Sequence, residues 1–325
     1  MLTLLLSLLL VVLLPMVAEA QPAGRTYRIG VLANALDTSD GPPFRGFVER
    51  LRGLGYEDKS VVIEWRSSEG DDGQLPELAA DLVRAKVDVL FATSLRPARA
   101  AVQATKTVPI VFVVGTDPVA QQLVTSLARP GGNATGLFVY RPQETSEKVL
   151  QLLKAAVPTL SLLAVLTNPD NRVQREIMAQ PLPAAAQRAK VTLMPLTVQS
   201  PSEISTAFDA ASKRSAGAVY VLGDVLTFIQ RGQIIDLAAR SRLPAVYAFR
   251  GAAEAGGLMS YGPDFRELFR RAAGYVDKIL KGAKPGDLPV ESSTKFDLLI
   301  NLKAARAIGL ALSPALIRQA DQVIE

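Results

Sequence analysis

One unit used twice constrains this chain more than anything else in it. A β-branched run over residues 108–114 ends in Gly115-Thr116-Asp117-Pro118, then leads to Gly131-Gly132 and a short apolar run over 134–139. The stretch 243–264 repeats the design: Pro244-Ala245-Val246-Tyr247 answers to Pro109-Ile110-Val111-Phe112, and Gly256-Gly257 to Gly131-Gly132. Upstream, Gly30-Val31-Leu32-Ala33-Asn34 has a partner in Ala164-Val165-Leu166-Thr167-Asn168. Asn34 and Pro109 are 75 residues apart, and Asn168 and Pro244 are 76 apart. The chain therefore reads as two similar lobes in series, and its 325 residues suit two domains better than one core.

Uninterrupted apolar runs bounded by turn residues are strands buried on both faces, as in parallel sheets covered by helices. Strands are predicted over 27–33, 61–66, 87–92, 108–114 and 134–139 in the first lobe. The second lobe has 162–167, 191–196, 218–222, a short run after Leu243, and 296–301. Helical spacing falls between them, at 43–53, 75–85, 97–105, 146–156, 201–212 and 228–241. A helix rich in Ala, Gln and Arg after Asn168 is expected to be interrupted by Pro181 and Pro183. Asp117 and Pro118 look like the cap and first residue of a helix reaching about Ala128, stopped by Pro130-Gly131-Gly132. The cleanest amphipathic stretch runs from Phe265 to Leu280 and is closed by Gly282. Strands alternating with helices throughout predict parallel, doubly wound sheets.

Composition removes several classes of function. The chain has no cysteine and no histidine, which excludes Ser-His-Asp and Cys-His catalysis, disulfides and the usual zinc sites. The net charge of +5 is spread along the chain without a basic run carrying aromatics, so no nucleic-acid partner is expected. Residues 1–20 read as an export signal: an apolar core over 2–14 is followed by Ala18-Glu19-Ala20, the small-x-small pattern of a cleavage site. Cleavage after Ala20, with no cysteine to carry a lipid, points to a free protein of the periplasm.

Taken together, these motifs resemble the substrate-binding proteins of ABC importers, specifically the tryptophan/tyrosine-type family. The resemblance rests on Ile29-Gly30-Val31-Leu32, on Leu75-Pro76-Glu77-Leu78-Ala79-Ala80-Asp81-Leu82-Val83, and on 109–137 with its Gly-Thr-Asp-Pro-Val and Ala-Arg-Pro-Gly-Gly-Asn-Ala-Thr-Gly. Gly257-Leu258-Met259-Ser260-Tyr261-Gly262-Pro263, Ile279-Leu280-Lys281-Gly282-Ala283-Lys284-Pro285 and Lys295-Phe296-Asp297-Leu298-Leu299-Ile300-Asn301 complete it. After Asn34, where the family usually carries Ser or Gly, this chain has Ala35-Leu36-Asp37. The resemblance implies an α/β, periplasmic-binding-protein-like I fold: two doubly wound parallel-sheet lobes joined by a three-crossing hinge. Lobe one is expected over 27–139 with a return at 262–290, and lobe two over 140–261 with a return and tail at 291–325. The crossings are expected near Val139-Tyr140, Ser260-Tyr261 and Val290-Glu291. The implied partners are a small-molecule ligand, an amino acid or small carboxylate, and an importer permease in the inner membrane. A monomer with no cofactor and no metal is expected. A sensor subunit feeding a membrane kinase is an alternative that the sequence does not distinguish. The sensing domain of a repressor shares the fold but needs a DNA-binding head, which the export signal before Tyr27 does not supply. An exported enzyme working without His or Cys is the remaining alternative.

Candidate ligand contacts sit at strand ends facing the cleft. Lobe one offers Asn34, Thr93, Ser94, Thr116 and Asp117, with Thr93 and Ser94 placed to hold a carboxylate at a helix start. Lobe two offers Asn168, Asp224, Tyr247 and Arg250, with Asp224 for an ammonium and Tyr247 for stacking. Tyr140 and Tyr261 fall at crossings and line the hinge. Asp117 reads as a helix cap ahead of a ligand contact, and Asp224 reads equally as either.

Overall fold

The computed structural model describes residues 25–35, 42–57, 59–293 and 295–325. The export signal, and Leu36 and Asp37 after the first strand, lie outside the described residues. In the first lobe β1 (Tyr27–Ala33), α1 (Pro42–Gly53), β2 (Val61–Ser67), α2 (Leu75–Arg84), β3 (Val89–Ala92), α3 (Leu95–Ala104) and β4 (Ile110–Val114) alternate as the periodicity demands, and β5 (Ala134–Phe138) follows β4 with no helix between. The second lobe runs α4 (Pro142–Ala156), β6 (Leu162–Thr167), α5 (Arg172–Ala179), α6 (Pro181–Ala189), β7 (Thr192–Thr197), α7 (Pro201–Lys213) and β8 (Ala218–Val221). Next come α8 (Val225–Ile229), α9 (Arg231–Arg240), β9 (Ala245–Tyr247), α10 (Arg250–Glu254) and β10 (Met259–Pro263). The chain then returns through α11 (Phe265–Leu280) and β11 (Glu291–Ser292), and finishes with β12 (Phe296–Asn301), α12 (Leu302–Ala307), α13 (Pro314–Ile317) and β13 (Gln322–Ile324).

The strands form two sheets, ordered β11-β5-β4-β3-β1-β2 and β13-β12-β10-β9-β8-β6-β7. Each is covered on both faces, which is why the strands read as continuous apolar runs. In lobe one, α1 and α11 pack on one face around Phe47, Phe91 and Phe269, while α2 and α3 cover the other around Leu82, Leu90 and Phe112. In lobe two, α4 and α6 lie on one face and α7 and α9 on the other. Gly136 shows how tightly the strands of lobe one approach. It pairs with Phe112 in the β4–β5 ladder, and a Cβ there would stand 2.0 Å from the Phe112 carbonyl oxygen.

Four features differ from the sequence expectation. No helix forms over 117–128. Gln121 donates to Asp117 in one helical turn, but Gln122 then takes left-handed backbone at φ 58°, and the hydroxyls of Thr125 and Ser126 bond the carbonyls of Pro130 and Arg129. Those local bonds compete with a helical ladder, and the return segment fixes the loop when Val290 donates to the Leu127 carbonyl at 2.7 Å. The helix expected over 228–241 is two, α8 and α9. The second sheet is not wholly parallel, since β12 runs antiparallel to β10. Two crossings fall later than expected: β10 stays in the second sheet through Pro263, and Glu291–Ser292 still pair with β5 in the first.

Candidate ligand-binding cleft

The carboxyl ends of the parallel strands in both lobes carry hydrogen-bonded clusters of polar side chains. On lobe one, Asn34 follows β1 and is buried, at 6 % exposure. Its side-chain amide donates to Asp72, its side-chain oxygen accepts from the Ser94 hydroxyl, and Arg96 closes the row by donating to the far oxygen of Asp72. Ser94 begins α3 but does not cap it with its side chain, because the hydroxyl is turned to Asn34. Thr93 is half-buried, and its N–H is engaged by the Leu32 carbonyl at 3.1 Å.

Further along that edge, Thr116 is only 1 % exposed and accepts from Gln121, whose own side-chain oxygen takes a 2.6 Å bond from Arg99. It belongs to an internal network and does not reach a ligand. Asp117 spends one carboxylate oxygen on the N–H groups of Val119 and Ala120, at 2.8 and 3.2 Å, so it caps a single turn.

Lobe two centres on Asp224. Its Oδ1 accepts from Asn168 Nδ2 at 3.1 Å and from the Leu226 N–H at 3.0 Å, and its Oδ2 accepts from Asn171 Nδ2 at 2.8 Å. Thr227 completes a capping box at the start of α8. Asn171 is itself pinned, because its Oδ1 accepts from the N–H groups of Val173 and Gln174 and so caps α5. Gln174 is buried beneath, accepting from the Thr167 hydroxyl and the Asn168 N–H and donating to the Gly223 carbonyl. Asp72, Arg96, Asn171 and Gln174 were not singled out from the sequence. Their signal was present only as polar residues just past predicted strand ends.

Two lobe-two expectations are corrected. Tyr247 is 1 % exposed and sits in the core beneath α9 and α10, with its ring against Gly257, so it stacks on no ligand. Burial pushes its phenol above the ordinary tyrosine range. Arg250 is consumed by its own lobe, through Glu254 at 2.8 Å, the buried Asp297 at 3.4 Å and Gln322. Tyr140 and Tyr261, expected at crossings, are half-buried, and Tyr261 lies within β10 of the second sheet, paired with Leu298, instead of at a crossing. Tyr140 donates to Glu176 Oε2 at 3.1 Å, and burial, that bond and the neighbouring Asp117 raise its pKa. Tyr261 lies 5.5 Å from Phe296, ring centre to ring centre. A cavity of about 730 Å³ opens beside Tyr140, lined also by Arg141, Glu144, Glu176, Gln180 and Ser292 among others. Among the described residues no group of three or more His, Cys, Asp or Glu is placed to hold a metal, and no helix is long and apolar enough to cross a membrane.

Two sheet lobes with opposed polar edges describe a fold, and comparison with known proteins gives the family. The sequence model for ABC transporter substrate binding proteins matches residues 33–324. The chain belongs to that family. Among its relatives is a tyrosine-binding protein of Clostridioides difficile (strain R20291), 27 % identical over 267 residues, which are 82 % of this chain and 76 % of the relative. Among solved structures, a conserved domain protein from Vibrio cholerae superposes with a TM-score of 0.83 at 28 % identity, covering 92 % of this chain and 100 % of the other. A domain from Streptococcus pneumonia solved in complex with L-Trp gives the same TM-score at 26 % identity, with the same coverage. This substrate-binding protein is therefore built on the two-lobed α/β architecture of solute-binding proteins, and ligand capture is its class of activity.

Proposed function

We propose that this substrate-binding protein captures a free α-amino acid, an aromatic one in particular, between its lobes and passes it unchanged to the permease of an ABC importer. The observation that supports this reading is a contrast in helix starts between the two polar clusters, since elsewhere on lobe two α7 and α10 also begin without a side-chain cap. On lobe two, α5 and α8 are capped by their own Asn171 and Asp224. On lobe one, α3 has no cap from Ser94. The first N–H groups of a helix are orphan donors carrying partial positive charge, so the start of α3 suits a carboxylate, with Ser94 beside it. A carboxylate presents about four acceptor positions. Asp224 spends three on neighbours, leaving one on Oδ2 for an ammonium.

The names of the relatives favour an aromatic side chain: one is called tyrosine-binding and another was solved with L-Trp. In this reading the two lobes move as units about the three crossings, with Tyr140 at the first. The mature protein begins at Gln21 and works as a free monomer in the periplasm, without catalysis.

Thermal shift over the amino acids tests the proposal, alongside indole-3-propionate, which lacks the ammonium, and tryptamine, which lacks the carboxylate. At a hundredfold its dissociation constant the true ligand stabilises the fold by about 2.7 kcal/mol. Tryptophan or tyrosine is expected to act and both truncated analogues to fail. Silence from all amino acids, or chemical turnover of a binder, would sink the reading.

A further inference from the structure

The outer mouth of the cleft carries a contact between the lobes that ligand recognition does not use. β2 is an edge strand of the first sheet, at the opposite edge from β11 and β5, from which the chain crosses to lobe two. The loop after β2 therefore lies across the sheet from the hinge. Glu69 and Gly70 in this loop take left-handed backbone, with φ 46° and 91°. The Gly70 N–H donates to the Asn34 carbonyl at 2.8 Å, and Asp72 further along the loop holds the Asn34 side chain and Arg96. Facing this loop from lobe two is Ile229, the last residue of α8 and 40 % exposed. Its Cδ1 stands 3.5 Å from where a Cβ on Gly70 would lie. With no side chain on Gly70, an apolar group of one lobe rests against bare backbone of the other.

We propose that Ile229 seated on Gly70 is a latch that sets how long a captured ligand stays. The proposal rests on the two-lobe capture described above and adds a residue that acts without touching ligand. Each half of the latch is fastened to its own lobe's polar cluster, Gly70 through Asn34 and Ile229 through the short helix that Asp224 caps. An apolar contact made only between closed lobes lowers the closed state relative to the open one. A ligand arriving at open lobes does not experience it, so the contact acts on departure and leaves arrival unchanged.

The chain has no cysteine, so engineered pairs report without background. Gly70→Cys combined with Ile229→Cys, treated with a short bismaleimide, is expected to crosslink within one chain both without ligand and with L-tryptophan. Neither single variant should do so. Glu69→Cys replaces Gly70→Cys if the left-handed position impairs folding. A folded pair that fails to crosslink under both conditions overturns the latch. Stopped-flow fluorescence with L-tryptophan then separates the rates. Ile229→Ala is expected to raise the dissociation rate about tenfold, equivalent to about 1.4 kcal/mol, with association unchanged, and Ile229→Leu to restore most of the wild-type rate. An unchanged dissociation rate, or a loss confined to association, refutes it. If L-tryptophan does not bind the wild type, the amino-acid reading fails and the crosslinking result alone decides the latch.

Discussion

Asp224→Ala is the most informative substitution, because the proposed function gives the carboxylate a second kind of work beside its structural one, and the two can be measured apart. Within the protein it accepts from Asn168, Leu226 and Asn171 at 3.1, 3.0 and 2.8 Å. Loss of the cap on α8 costs about 1 kcal/mol, and two side-chain amide bonds cost about 0.5–1.5 kcal/mol each. Stability should therefore fall by about 2–4 kcal/mol in urea unfolding. Toward ligand, the proposal has the one acceptor position left on Oδ2 make a single charge-assisted bond worth about 1.5–3 kcal/mol, or about ten- to a hundredfold in affinity. Asp224→Asn is no cleaner. Asn171 cannot turn its amide over while its Oδ1 caps α5, so one amide would face another.

A double cycle isolates the second role. Wild type and Asp224→Ala are each titrated calorimetrically with L-tryptophan and with indole-3-propionate. Whatever the substitution does to the fold cancels between the two ligands. The expected coupling between carboxylate and ammonium is about 1.5–3 kcal/mol. A coupling below about 0.5 kcal/mol would refute the assignment and leave Asp224 a cap alone.

Other outcomes follow from the same structure. Phe47→Ala removes a fully buried ring stacked 4.6 Å from Phe91, and chemical unfolding should record a loss of about 3–5 kcal/mol. Gly136→Ala forces a Cβ against the Phe112 carbonyl and should cost about 3 kcal/mol or more, or abolish soluble expression. Glu267 is held below the usual carboxylate range by its hydrogen bonds from Arg270, at 2.5 and 2.7 Å, against the opposing effect of burial. Because its folded pKa is depressed, this pair stabilises above the unfolded value near ~4.3 and is lost as pH falls through the folded value. Arg270→Ala should lower stability by about 0.5 kcal/mol at neutral pH and by nothing measurable in strong acid. Mass spectrometry of the exported protein should show Gln21 as its first residue; an intact leader refutes cleavage after Ala20.

The sequence alone determined the strands, most of the helices and the two-lobe plan. Buried parallel strands must be apolar throughout and helices packed on one side must repeat every three to four residues, so both leave local patterns, as Tyr27–Ala33 and Phe265–Leu280 do. It also placed Asn34, Ser94, Asn168 and Asp224 at strand ends, because chain direction in a parallel sheet puts them there. What those side chains do was decided only in three dimensions. Asp224 is divided among Asn168, Asn171 and its own helix, and Ser94 is drawn from its helix by an asparagine sixty residues away. Tyr247 looked like a ligand platform until Gly257 and α9 closed over it, and Arg250 looked free until β12 and β13 brought Asp297 and Gln322 to it. The helix expected after Asp117 gave way to the local bonds of Thr125 and Ser126, and the return segment at Val290 fixes the resulting loop. In each case contacts that the periodicity does not record, many of them distant in sequence, joined or replaced the local preference. A polar side chain takes the hydrogen bond that the assembled fold brings within reach, and periodicity carries no record of which bond that will be.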